Sequence, residues 1–245
     1  MRLLGFALAL LLAACGSTPS TGSGTPPTPV ASTTPNLHPT LEASLDAAQA
    51  DAAAVTDERR TQLDRIAEHV AAQREAGQPV RLLFICTHNS RRSHMGQLWA
   101  AAAATYFGID GVETFSGGTE ATAFNPRAVA ALQRAGFSIE ATDTSEDNPR
   151  YAVSLGQDIP AHEAYSKRYM DPPNPTESFV AVMTCSDADK ACPFVAGSDL
   201  RIALPYVDPK ASDGTPEEAA TYDARSQQIA REMVYLFSKV AADAS

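Results

Sequence analysis

Cys86 and Arg92, with Thr-His-Asn-Ser-Arg between them and Ser93 next, are the side chains of this chain best suited to covalent chemistry. An apolar run, Leu82-Leu-Phe-Ile85, leads into Cys86 and has the length and character of a strand. After Arg92, apolar residues recur at Met95, Leu98, Trp99, Ala102 and Tyr106, the three- and four-residue spacing of one helix face. Cys86 is therefore expected where a strand ends and a loop closes onto a helix N-terminus. The free N–H groups and positive dipole end of such a turn make an oxyanion cradle. That setting favours the thiolate, which is the nucleophilic form of cysteine. Arg92 adds a planar fork matched to a tetrahedral oxyanion, and the Ser93 hydroxyl can hydrogen-bond the sulfur. The bare spacing also fits a buried thiol beside a surface arginine; the strand–loop–helix context is what argues for chemistry.

Two further stretches fall at strand ends. Phe179-Val-Ala-Val-Met183 is fully apolar, a strand buried on both faces, and runs into Cys185-Ser-Asp-Ala-Asp-Lys-Ala-Cys192. Arg201-Ile-Ala-Leu204 is a short strand followed by Asp208-Pro209. Val112 to Ser116, ending in Gly117-Gly118, completes a set of four strands. Helices are expected between them: one opened by Asn125-Pro126-Arg127 and closed by Gly136, and a last one from Glu217 to Val240. Strands alternating with helices predict an α/β fold with a four-stranded parallel sheet covered on both faces. The crevice lies at the carboxyl ends of such strands, and all three stretches point there. Asp208 falls in that crevice, in the loop after the fourth strand. Residues 141–178, polar and rich in proline, are expected to form a long loop with one short helix; His162 within it reads as solvated.

The run Cys86-Thr-His-Asn-Ser-Arg-Arg92-Ser93 resembles the phosphate loop of the low-molecular-weight protein tyrosine phosphatases and the related thioredoxin-coupled arsenate reductases. The Ser116 to Gly136 stretch is similar to theirs as well, and the resemblance covers roughly Val80 to Val240. It implies that Thr87, His88, Asn89, Ser90, Arg91, Arg92 and Ser93 form the oxyanion loop, with Asn89 holding its shape and Asp208 as general acid. It further implies that Cys185 and Cys192 form a redox relay that takes over from Cys86, because their stretch resembles the reductases' shuttle. A reductase moves two electrons through thiols and needs such a pair and a thioredoxin-like donor, whereas a phosphatase needs one thiolate and water. Two inert thiols or a structural disulfide are the other readings of the pair. Lys210-Ala211-Ser212 after Asp-Pro stands where the phosphatases carry ring-gripping aromatics. The function expected is arsenate reduction; a phosphatase is the alternative, and a silent oxyanion-binding protein the second alternative. His88 replaces the loop's usual glycine, and Arg91 replaces a second cysteine, an extra cation expected to deepen the positive potential. Gln97 stands where many reductases have a glutamate near a potassium site, so no metal and no bound cofactor are expected.

Around this region the chain divides into unlike parts. Residues 1–15, with Arg2, a short apolar run and Leu12-Ala-Ala-Cys15-Gly16, resemble a bacterial lipoprotein signal with Cys15 as the lipid-bearing residue. This predicts an exported protein tethered to an envelope membrane, a location without the cytoplasmic thiol pool. Residues 16–40 are Ser, Thr, Pro and Gly and read as a linker. Residues 41–78 are expected to be a helical extension striped by Leu63, Ile66 and Val70, packed on the catalytic domain at 79–243. A net charge of −10 with no basic cluster argues against nucleic-acid partners, and a monomer is expected.

Overall fold

A computed structural model describes residues 36–143, 147–192 and 194–243. The expected signal, the Cys15 lipid site and nearly all of the linker lie outside the described residues. The chain order is α1 (Pro39–Ala50), α2 (Asp57–Glu75), β1 (Val80–Cys86), α3 (Arg92–Tyr106), β2 (Val112–Gly118) and α4 (Pro126–Arg134). It continues with β3 (Ser138–Asp143), β4 (Arg150–Ser154), β5 (His162–Ala164), β6 (Phe179–Met183), α5 (Ser186–Ala191), β7 (Ser198–Ala203) and α6 (Glu218–Asp243).

The expected four strands form one parallel sheet in the order β2-β1-β6-β7. The two central strands are buried on both faces, and their period of two divides their side chains between separate cores. Leu82 and Phe84 of β1 and Val180 and Val182 of β6 enter the larger core with α3, α6 and α2. Leu83, Ile85 and Cys86, with Ala181 and Met183, enter a smaller core on the opposite face, which α5 covers. Cys86 and Cys185 belong to the smaller core, and Cys192 packs against it.

Two expectations are corrected. The extension is two helices, not one: α1 ends at Ala50, a 3-10 turn spans Ala52–Ala54, and the Thr56 hydroxyl caps α2 by accepting from Arg59 N. An alanine-rich sequence carries no breaker at this point, so the periodicity runs on through the turn. Both helices pack on α6, burying Leu41, Leu45, Leu63, Ile66 and Val70. The stretch read as a long loop instead carries the end of β3 together with β4 and β5, and these three strands form an antiparallel sheet with Ile139 opposite Val153 and Val153 opposite His162. These strands are short and mostly polar, so they show no run of alternating apolar residues to read. No helix occurs there among the described residues. No helix among the described residues is long and apolar enough to cross a membrane.

Candidate active site

The loop between β1 and α3 is held by its carbonyls. Cys86 O accepts from Thr119 N, Thr87 O from Glu120 N, His88 O from the Thr122 and Ser166 hydroxyls, and Ser90 O from Asn125 N. Carbonyls fixed outward turn the N–H side of these peptides inward, the concave arrangement that receives an anion. The end of β2 passes so close that a Cβ on Gly118 would lie 2.6 Å from Asn89 N and 2.7 Å from Thr87 O, so only glycine fits. The left-handed residue of the loop is Asn89 (φ 44°) rather than His88, an asparagine tolerating that region better than most side chains. His88 is half exposed, 3.7 Å from Glu120.

Asn89 ties the loop to two neighbouring segments. Its Oδ1 accepts from Lys167 N (2.8 Å) and its Nδ2 donates to Ser93 Oγ (2.9 Å). Ser93 Oγ lies 3.1 Å from Cys86 Sγ. Because Ser93 already accepts from Asn89, its own proton is available for a hydrogen bond to the sulfur. Both Asn89 and Ser93 are fully buried, so the chain of bonds is screened little by solvent.

Arg92 donates through Nη2 to Asp208 Oδ2 (2.7 Å) and through Nη1 to Tyr206 O (3.0 Å). Its Nε is buried with no partner among the described residues, a donor left for an oxyanion oxygen. Asp208 begins a 3-10 turn, Pro209–Ser212, and its Oδ1 accepts from Lys210 N (3.0 Å). The anion loop and the candidate acid are thus one ion-paired unit. Arg91 behaves differently from expectation. Its guanidinium donates to Tyr222 Oη (2.9 Å) and faces Asp213 and Asp208, so its charge is compensated outside the cradle.

The thiols Cys86, Cys185 and Cys192 are all free. Cys185 is fully buried at the N-cap of α5, with its sulfur 3.3 Å from Thr87 Oγ1 and accepting from Ala188 N (3.3 Å). Cys192 caps the other end of α5, is partly exposed, and has the Tyr169 hydroxyl against it. Asp189 and the Cys192 carbonyl are both held by Arg201.

Several residues of this region carried no readable signal. Lys167, Tyr206, Asp213 and Tyr222 reach the site only through the fold. Lys167 is buried, and desolvation pulls its ammonium down to about 8. His94 stacks on Phe124 (4.0 Å between centroids), with Nδ1 3.2 Å from Ser116 Oγ. Burial, with the Lys167 charge second, holds it well below its ordinary value, so it is neutral. Gln97 donates through Nε2 to Thr114 O, and among the described residues no group of three or more His, Cys, Asp and Glu is placed to hold a metal ion.

Residues 81–151 match the family model described as low molecular weight phosphotyrosine protein phosphatase. An arsenate reductase of Bacillus licheniformis is 28% identical over 158 residues, covering 64% of this chain and 94% of that protein. An arsenate reductase of Bacillus subtilis is 30% identical over 137 residues, covering 56% of this chain and 79% of that protein. Among solved structures, a low-molecular-weight protein tyrosine phosphatase from T. tengcongensis aligns with a TM-score of 0.42 at 17% identity, covering 65% of this chain and 99% of that one. The chain belongs to the superfamily of the low-molecular-weight protein tyrosine phosphatases and the arsenate reductases related to them.

Proposed function

We propose that the chain is an arsenate reductase working through a relay of three thiols. The observation that carries this reading is the position of Cys185, whose sulfur lies against the anion loop at Thr87 while Cys192 emerges at the far end of α5. A phosphate-ester hydrolase has no use for either thiol.

In the proposed cycle the Cys86 thiolate attacks arsenic(V), forming an S–As bond, and the As–O bond to one arsenate hydroxyl breaks, that hydroxyl leaving as water with a proton from Asp208. Arg92 and the loop N–H groups hold the remaining oxygens. The Cys185 thiolate then attacks Cys86 sulfur. The S–S bond forms, the S–As bond breaks, and its electron pair goes to arsenic, which leaves as arsenite. Cys192 attacks Cys185 in turn and returns Cys86 to its thiolate, and an external dithiol donor of the thioredoxin type reduces the Cys185–Cys192 bond.

A second reading, phosphate-ester hydrolysis, is favoured by one specific feature: Cys86, Arg92 and Asp208 suffice for it, with water in place of the second thiol. The test compares wild type with Cys192→Ser on arsenate plus a dithiol donor, beside p-nitrophenyl phosphate. Reduction by wild type, with Cys192→Ser stalling after about one turnover as a Cys86–Cys185 disulfide seen by mass spectrometry, is the expected result. Full multi-turnover reduction without Cys192, or ester hydrolysis with no arsenate reduction in wild type, moves the assignment to phosphatase.

A further inference from the structure

The residue beside the anion-binding arginine has a separate task. Arg91 belongs to the loop by sequence, yet its side chain, 12% exposed, turns away from the cradle. Its Nε donates to Tyr222 Oη (2.9 Å), and that hydroxyl donates to Asp213 Oδ1 (2.8 Å). Arg91 Nη2 lies 3.8 Å from Asp213 Oδ2, and Nε lies 4.0 Å from Asp208 Oδ1. Asp208 and Asp213 are the two caps of the Pro209–Ser212 turn. A single guanidinium therefore faces both ends of the turn that carries the candidate acid. Asp213 is anchored from the far side too, by Arg127 (3.7 Å), which itself pairs with Glu218 (2.7 Å) on α6.

We propose that Arg91 is a positioning residue that sets the Asp208 carboxyl against the anion loop by clamping the turn through Asp213 and Tyr222. This rests on the reading of Asp208 as general acid. A planar fork suits the task, since it holds a hydroxyl and two carboxylates in one fixed arrangement where an ammonium would act as a point charge. Tyr222 is buried beside Asp213, which raises its phenol to about 12, so it remains a neutral donor throughout the working range. A second anion-binding cation would be organised differently, with its N–H donors left free toward the cradle.

The test uses leaving groups. An ester with a poor leaving group needs the acid more than one with a good leaving group, so a misplaced acid penalises phenyl phosphate more than p-nitrophenyl phosphate. Arg91→Ala is expected to lower kcat for phenyl phosphate about tenfold more than for p-nitrophenyl phosphate, with KM for both within about twofold of wild type. Arg91→Lys recovers part of the loss, and Tyr222→Phe, which keeps the packing, shows the same selective penalty at smaller size. Equal losses on both esters with a raised KM would make Arg91 an anion-binding residue and overturn the proposal, as would wild-type behaviour of both variants. Should wild type hydrolyse no ester, the hydrolytic reading fails on its own. The clamp is still read by hydrogen exchange at Lys210 N–H, which bonds Asp208 Oδ1: about tenfold faster exchange in Arg91→Ala supports it, and unchanged exchange overturns it.

Discussion

At the scale of single residues, the site is a set of side chains each held by a partner that leaves one function free. Asn89 spends its carbonyl oxygen on Lys167 N and its amide on Ser93, which leaves the serine proton for Cys86. The types and spacing of Cys86, Arg92 and Ser93 were legible in the string as chemistry, whereas the roles of Asn89 and Asp208 came from the family resemblance. Lys167 was not legible, since it meets Asn89 through a backbone N–H that any residue could supply. Its side chain is nevertheless costly. It is 5% exposed, over the Tyr165 ring at 4.6 Å, with desolvation lowering it from 10.5 to about 8. The linkage has a definite sign. Below about pH 8 the ammonium is charged in both the folded and the unfolded chain, and the full burial penalty is present. Between about 8 and 10.5 the unfolded chain binds more protons, so this group makes stability rise with pH. Lys167→Met is expected to stabilise the fold at pH 7 by on the order of 2 kcal/mol and to remove that rise, read as Tm against pH from 7 to 10. A variant with unchanged pH dependence would show that the ammonium is not the group responsible.

Among elements, the parallel sheet was readable because β1 and β6 are apolar on both faces, and such runs have few other uses in a chain. The antiparallel sheet from β3 to β5 was not, because its pairing comes from position across the fold and only a few of its side chains enter the core. The helix α5 is the element that decides the redox reading. Its caps are Cys185 and Cys192, seven positions apart, so at a helical rise of about 1.5 Å per residue their Cα atoms stand roughly 10 Å apart. A disulfide needs Cα atoms within about 7 Å. An intact α5 therefore forbids the Cys185–Cys192 bond, and oxidation must unwind it. Arg201 opposes that unwinding by holding Asp189 Oδ1 (2.6 Å), Asp189 O (2.8 Å) and Cys192 O (2.9 Å). Oxidised protein is expected to lose amide protection across residues 186–192 while the four central strands keep theirs, as hydrogen exchange reports. Arg201→Ala is expected to speed closure of the Cys185–Cys192 disulfide several-fold in a timed oxidation. Retained protection of α5 in the oxidised protein would contradict the relay.

Across the whole molecule, the N-terminal helix α2 is tied to the chemistry through a buried charge network. Arg59 on α2 donates to Glu232 on α6 with Nε (2.9 Å) and Nη2 (2.5 Å), and with Nη1 to Pro205 O (2.8 Å). Tyr206 donates its hydroxyl to Glu232 (2.7 Å), stacks beneath the Arg59 guanidinium, and offers its carbonyl to Arg92. The segment that presents Asp208 is therefore pinned from behind by α2 and α6. No sequence pattern announces this, since Arg59 and Glu232 lie 173 residues apart and each alone reads as a solvated helix charge. The Glu232 side chain is 3% exposed, so removing its partner leaves a buried charge under-compensated. Arg59→Ala is expected to cost about 3 kcal/mol, a fall in Tm of roughly 6–12 °C for a chain of this size, measured by thermal unfolding. Replacing both partners with apolar residues, Arg59→Met with Glu232→Leu, is expected to recover most of that stability, because an ion pair exchanged for packed hydrocarbon is close to neutral. Turnover should not recover with it. The double variant still lacks the bond to Pro205 O and the anchor for the Tyr206 hydroxyl, so kcat stays about tenfold low while Tm returns. If turnover returned together with stability, the network would serve the fold alone and have no part in holding Asp208.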